Sequence, residues 1–353
     1  MIRTVPMAEE QTLEQRIASL EQILENYCKL SKQITLDEQT QRKVAKIEQM
    51  ADKLRGYLKD SNNLTPQKPK SNIQQDPKEV AEAQTAIDNY GKEATAEDVF
   101  LEITKGEFVY ALKQRIANPK GVDQSQLNLC GAASFMVLWI ERDPRGFAKA
   151  AIELFQTGKS TYKDIKIKAN KSMFGKSEFE PQKYSLQLVD WMMLSSLQNA
   201  SGLLGYSPTK EMGGIRGIGL PGKVLKWFEK LSGGEVKKYR KDLKPSELNK
   251  LYKEDHYILF LVNVNRLYDY FTSIKSSSSK GKVAKKMSNF FNGITGNHYV
   301  VLNSPIRKED DELVLDLWTW AKSLEVRIPG RIFKKTVVQT FVVEPEKEGD
   351  DEY

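Results

Sequence analysis

The sequence contains few of the side chains that carry disulfides or metal sites. Its 353 residues include only two cysteines, Cys28 and Cys130, and two histidines, His256 and His298. Two widely separated cysteines exclude a disulfide framework and favour a reducing compartment. These four residues also lack the close spacing of zinc ligands, so we expect neither a metal ion nor another cofactor.

Long apolar runs are also missing. The first ten residues lack the apolar centre of a secretory signal peptide, and the most apolar segments, residues 129–140 and 257–264, are too short to cross a bilayer. We therefore predict a chain without a membrane span that is synthesised in the cytoplasm. Export by a machine that reads no cleavable signal stays open.

An excess of one charge is absent over most of the chain. The sequence has 54 Lys and Arg against 47 Asp and Glu, a formal net charge of +7. Only residues 275–286 form a local basic stretch, and this Ser/Gly/Lys segment has no aromatic side chains on which bases could stack. The pattern predicts a solvated loop and no specific nucleic-acid site; a nucleic-acid binder would reveal itself by steep salt dependence.

What is present begins with two amphipathic helical patterns. Apolar residues recur at steps of three and four in each, at Leu13, Ile17, Leu20, Leu24 and Tyr27 and at Val44, Ile47, Ala51, Leu54 and Leu58. They predict a helical hairpin or coiled-coil segment over residues 1–60, followed by a linker over 61–80 and a globular domain over 81–353. Because one helix cannot bury its own apolar stripe, the hairpin is a candidate binding surface for an inhibitor, immunity or delivery protein.

The globular domain changes its periodicity along the chain. Helical patterns are followed by strand patterns rich in branched and aromatic residues. The predicted helices are 96–117, 131–141, 144–157, 183–200 and 222–231, and the predicted strands are 256–266, 298–303 and 312–327. Residues 304–311 form a polar turn that joins the last two strands. Helices followed by an antiparallel sheet predict an α+β fold.

Cys130 is the candidate nucleophile. It stands where a polar segment turns into an apolar helix, and the first turn of a helix favours the thiolate. The small residues Gly131, Ala132 and Ala133 would let a substrate approach the sulfur. Taken alone, a buried structural cysteine is the commoner explanation.

The remaining catalytic groups are sought near the predicted sheet. His298 begins an alternating strand after a flexible loop, where an imidazole could exchange protons with a thiol. Asp316, between apolar neighbours on the next strand, is the candidate that orients the imidazole. Gln124 and Gln126 are both candidate oxyanion donors. His256 follows a charged run and is interpreted as structural.

These segments resemble the papain-like cysteine peptidase superfamily, in particular bacterial toxin and effector protease domains and bacteriocin-leader peptidases. The resemblance lies in a glutamine before Asn-Leu-Cys-Gly-Ala-Ala-Ser-Phe, in Glu-Leu-Phe-Gln-Thr-Gly-Lys, and in His-Tyr-Val-Val-Leu-Asn-Ser-Pro-Ile. It covers residues 96–345 and leaves out the N-terminal hairpin. The long basic segment 157–253 departs from the family pattern and leaves the substrate open.

The resemblance implies a papain-like fold in which helices carry Cys130 and the sheet carries His298 and Asp316. It assigns Cys130 as nucleophile, His298 as general base, Asp316 as orienting residue and Gln124, six positions before the cysteine, as oxyanion donor. We therefore expect a cysteine-dependent protease that cleaves an amide bond in a protein or peptide. Glutamine deamidation or crosslinking, a peptidoglycan amidase activity, and an inactive papain-like interaction protein with a helical-hairpin adaptor remain alternatives.

Overall fold

The structure is a computed structural model that describes residues 73–93, 98–101, 103–124, 129–174, 187–201, 221–239, 243–268, 270, 298–319 and 321–345. All of them belong to one compact unit, Pro69–Tyr353. The predicted hairpin, the basic stretch 275–286 and Gln126 lie outside the described residues. Within the described part of the chain, no helix has the length and apolar character needed to cross a membrane.

Helices occupy the first half of the described chain and an antiparallel sheet the second, which confirms the predicted α+β class. The helices are α1 Pro77–Lys92, α2 Lys105–Ala117, α3 Cys130–Arg142, α4 Pro144–Thr157, α5 Leu188–Ser201, α6 Pro221–Ser232, α7 Pro245–Lys253, α8 Val264–Tyr268 and α9 Gly330–Thr336. The strands are β1 Lys159–Tyr162, β2 Ile165–Lys168, β3 Val236–Tyr239, β4 Tyr257–Val262, β5 His298–Leu302, β6 Arg307–Glu309, β7 Glu312–Thr319, β8 Lys322–Pro329 and β9 Val337–Val343.

Helix α1 begins inside the segment that the sequence predicted as a linker. The Asp76 side chain caps it by accepting a hydrogen bond from the backbone N–H of Lys78 at 2.9 Å, and Pro77 occupies the first turn. A proline there loses no hydrogen bond, because the first N–H groups of a helix have no intrahelical acceptor. The folded domain therefore starts a few residues earlier than predicted.

The main sheet runs in the order β3-β9-β4-β5-β7, and all its paired strands are antiparallel. Strand β8 pairs with β7 along the whole length of β7, so β5 and β6 share the opposite edge of that strand. The predicted single strand 312–327 is thus a hairpin of two strands. Its turn contains Ala321 with a positive φ of 58°.

The sheet separates two apolar cores. Helices α1 to α6 cover one face and form the helical-layer core, to which β4 contributes Tyr257, Leu259 and Leu261. The alternate residues of β4 enter a second core on the other face, beneath α7 and α9. Because side chains alternate along a strand, β4 is buried on both faces, and β5 beside it is divided in the same way.

Candidate active site

Helix α3 packs against strand β5 through its first turn. A Cβ atom added to Gly131 would lie 2.8 Å from Cγ2 of Val224 on α6 and 3.4 Å from Cε2 of the Tyr299 ring on β5. The contact with Val224 is closer than packed carbon atoms allow, so only glycine permits this approach. Gly131 therefore serves helix packing, and the approach of a substrate past Ala132 and Ala133 stays a prediction.

The Cys130 thiol lies against the main chain of β5. The backbone N–H groups of Tyr299, of Gly131 and of Cys130 itself favour the thiolate and lower the pKa of the thiol. The N-cap residue of α3 is Leu129, and no side-chain hydrogen bond caps this helix terminus. Since Tyr299 directly follows His298, the structure brings Cys130 to the strand that begins with His298.

The environment of the thiol opposes ionisation. Burial raises the pKa of Cys130 to about 11, outweighing the three N–H groups, which lower it. The sequence predicted a depressed pKa from the helix terminus alone, and this prediction is wrong. Desolvation of the sulfur, only 8% exposed, exceeds the effect of the helix dipole.

The His298 imidazole is buried on the face of β5 that carries Val300. Its Nε2 atom and Oγ1 of Thr319 are hydrogen-bonded at 2.6 Å. Val262 lies directly opposite His298 on β4 and belongs to the second core. Burial lowers the pKa of His298 to about 3, so the ring is neutral at physiological pH.

Asp316 lies on the neighbouring strand, as predicted, but at a different level from His298. Its backbone oxygen accepts a hydrogen bond from the N–H of Asn303 at 2.8 Å, which fixes the register. Asn303 follows His298 by five residues, or roughly 17 Å along a strand. The Asp316 carboxylate accepts a hydrogen bond from Ser323; burial raises its pKa, while Ser323 and the ammonium of Lys120 lower it. The structure therefore does not bring Asp316 to the imidazole.

Gln124, the predicted oxyanion donor, is a buried side chain at the end of the described segment before Cys130. The residue before it, Asp123, donates its backbone N–H to Oδ2 of Asp190 at 2.9 Å. The same carboxylate oxygen accepts from Arg115 at 2.7 Å, and both side chains of this ion pair are buried. The role of Gln124 as oxyanion donor stays a prediction, as does the choice between Gln124 and Gln126.

Sequence reasoning missed Thr319 and the Arg115–Asp190 pair. Each had a weak signal: Arg115 follows Leu112 on the apolar stripe of α2, and Thr319 continues the inward positions of Leu315 and Leu317 on β7. A polar residue at a core position needs a buried partner. The residues nearby in the sequence do not identify that partner.

Within the described ranges, no three His, Cys, Asp or Glu side chains gather as a metal site would require. Comparison of the chain with protein-family models, with curated proteins and with solved structures found no match.

Proposed function

We propose that the chain is a cysteine-dependent amide hydrolase with a papain-like arrangement, in which Cys130 is the nucleophile and His298 the general base. One observation carries this proposal: the helix that begins at Cys130 packs on the strand that begins at His298, with the thiol at the N–H of Tyr299. The two residues are far apart in sequence, and tertiary packing brings the helix to the strand, although the thiol belongs to the helical-layer core and the imidazole lies on the face of β5 that carries Val300.

The pKa values of the two groups determine the form of the proposed reaction. With the pKa of Cys130 near 11 and that of His298 near 3, the resting site contains a neutral thiol and a neutral imidazole. His298 would accept the thiol proton as the sulfur attacks the carbonyl carbon, and would return it to the leaving amine. Water then cleaves the thioester with the same base. The backbone N–H of Cys130 and the Gln124 amide would stabilise the oxyanion.

The substrate is proposed as an amide of a protein or peptide, as in the toxin and effector proteases that the sequence resembles. A glutamine side chain and a cell-wall peptide present the same carbonyl chemistry. The products distinguish them: a peptidase releases a new N-terminus, whereas a deamidase releases ammonia and an amidase cleaves muropeptides.

A second candidate is a papain-like interaction protein without catalytic activity. It is favoured by the burial of both groups, with 8% of Cys130 and 5% of His298 exposed, and by pKa values that keep both neutral. In that case Cys130 and His298 would be packing residues, and their replacement would change stability and no reaction.

The test is incubation of the full chain with a proteome-derived peptide library and with purified muropeptides. Mass spectrometry reads new termini, and an enzymatic assay reads ammonia. We expect products from the wild type and loss of them in Cys130→Ala and in His298→Ala. Cys28→Ser is the matched control and should leave product formation unchanged. Products that persist in Cys130→Ala would contradict the nucleophile assignment, and a wild type inactive on both substrate sets would support the interaction protein instead.

A further inference from the structure

We propose that Thr319 is the positioning residue of this site and that it accepts a hydrogen bond from Nε2–H of His298, leaving Nδ1 as the basic nitrogen. The inference rests on the proposed function, because it assigns a role within the same pair of residues. It also gives a neutral hydroxyl the orienting task that the sequence predicted for the Asp316 carboxylate.

The sheet register places Thr319 within reach of the ring. Val301 pairs with Trp318 and Leu302 with Leu317, so Thr319 stands opposite Val300. It is therefore a diagonal neighbour of His298 on the same face of the sheet, at the range over which cross-strand side chains interact. Both side chains are buried, and their 2.6 Å contact is short for a hydrogen bond.

The proposed proton transfer requires one tautomer of His298. Nδ1 is bonded to Cγ and is the ring nitrogen nearest to the main chain, whereas Nε2 lies at the far side of the ring with Thr319. The sulfur lies at the main chain itself, at the N–H of Tyr299. A neutral imidazole has one donor and one acceptor nitrogen. For Nδ1 to accept the thiol proton, Nε2 must carry the hydrogen and donate it to Oγ1.

A hydroxyl orients the ring without adding charge. A carboxylate at Nε2 would favour the imidazolium and raise the pKa of His298. Threonine contributes no such charge, which agrees with a ring whose pKa is lowered by burial to about 3. The site would therefore transfer the proton during attack and would not store a thiolate–imidazolium pair.

Nitrogen NMR of the full chain, labelled with ¹⁵N-histidine, tests the tautomer directly. Only His256 and His298 contribute signals, and His256→Gln assigns them. We expect an Nε2–H tautomer for His298 in the wild type and in Thr319→Ser, and a mixture of tautomers in Thr319→Val. Thr340→Val, a second buried threonine of the sheet on β9, is the matched control and should leave the His298 signals unchanged. An Nδ1–H tautomer in the wild type, or identical spectra in Thr319→Val, would overturn the proposal.

The rate at which iodoacetamide alkylates Cys130 gives a second readout. We expect a loss on the order of tenfold in Thr319→Val, because the base is no longer oriented, and recovery in Thr319→Ser. Thermal unfolding monitored by circular dichroism shows whether each variant is folded. The tautomer can be read whether or not any peptide is cleaved, so failure of the hydrolase assignment and failure of the Thr319 assignment give different results. Equal alkylation rates in folded Thr319→Val and wild type would contradict the positioning role.

Discussion

This domain buries two sets of polar side chains, and they avoid an unpaired buried charge in opposite ways. Arg115 and Asp190 are 1% and 0% exposed and form an ion pair with a further N–H donor from Asp123. Cys130 and His298 are almost as buried, but their pKa values keep both groups neutral. A buried charge must be paired or lost. The first pair therefore serves structure, and in the proposed site the second would keep a transferable proton.

The two pairs should also respond oppositely to pH. Burial raises the pKa of Asp190 to about 6, against Arg115 and the Asp123 N–H, so the folded state binds its proton more tightly than the unfolded chain. Its contribution to stability falls as pH rises from about 4 to 6. The pKa of His298 is lowered instead, so its contribution is complete above about 6.5 and is lost as pH falls toward 3.

The largest expected effect is that of Arg115→Met. The variant leaves the Asp190 carboxylate buried without its cation, and we expect a loss of about 3–5 kcal/mol in the free energy of unfolding. Urea denaturation at neutral pH measures it. The double variant Arg115→Met/Asp190→Leu should recover much of the loss. A single variant within about 1 kcal/mol of the wild type would show that the pair is not structural.

The second prediction concerns acid stability. The unfolded chain protonates His298 below about pH 6.5 and the folded protein does not, so acidification from pH 6.5 toward 3 should remove on the order of a few kcal/mol. His298→Gln should lose less stability than the wild type over this range, by urea denaturation at each pH. Asp190→Asn is the opposite control. It should lose more stability than the wild type on acidification, because it lacks the carboxyl group whose proton the folded state binds more tightly than the unfolded chain. Equal slopes for wild type and His298→Gln would argue against a buried neutral imidazole.

The third prediction separates the thiol from an ordinary cysteine. In a Cys28→Ser/His298→Ala background, where no imidazole takes the thiol proton, the rate of Cys130 alkylation by iodoacetamide should rise about tenfold per pH unit toward pH 11, because the thiolate is then the reacting species. The alkylation rate of an ordinary exposed cysteine would level off above about pH 8.5, the usual pKa of a free thiol. A rate that is already independent of pH at neutrality would indicate a stored thiolate and would contradict the neutral pair.

The smallest effect is expected at Thr336, a buried hydroxyl with no hydrogen-bond partner in the described part of the chain. Thr336→Val removes a buried polar group that lacks a compensating hydrogen bond. The free energy of unfolding of the variant should therefore equal that of the wild type or exceed it by up to about 1 kcal/mol. Thermal unfolding measures the change. A clear loss of stability would show that this hydroxyl is hydrogen-bonded in solution.

Local signals predicted many elements well. Helix α4 has the predicted bounds because Asp143 caps it, Pro144 opens it and Gly158, with φ 73°, ends it. Helix α3 extends the predicted one by a single residue at each end, and β5 begins at His298 as predicted. The α+β class followed from the same patterns.

Tertiary structure alone decided the chemistry of the candidate site. The apolar neighbours of Asp316 suggested a shielded carboxylate that orients the imidazole, but the β5–β7 register, set by long-range pairing, places Thr319 at the imidazole instead. Likewise, a cysteine at a helix start suggested a thiolate, whereas its burial against β5 raises the pKa of the thiol. Periodicity and capping act over a few residues and can be read from the sequence. Register and desolvation depend on which distant segments meet, so only the folded chain determines them.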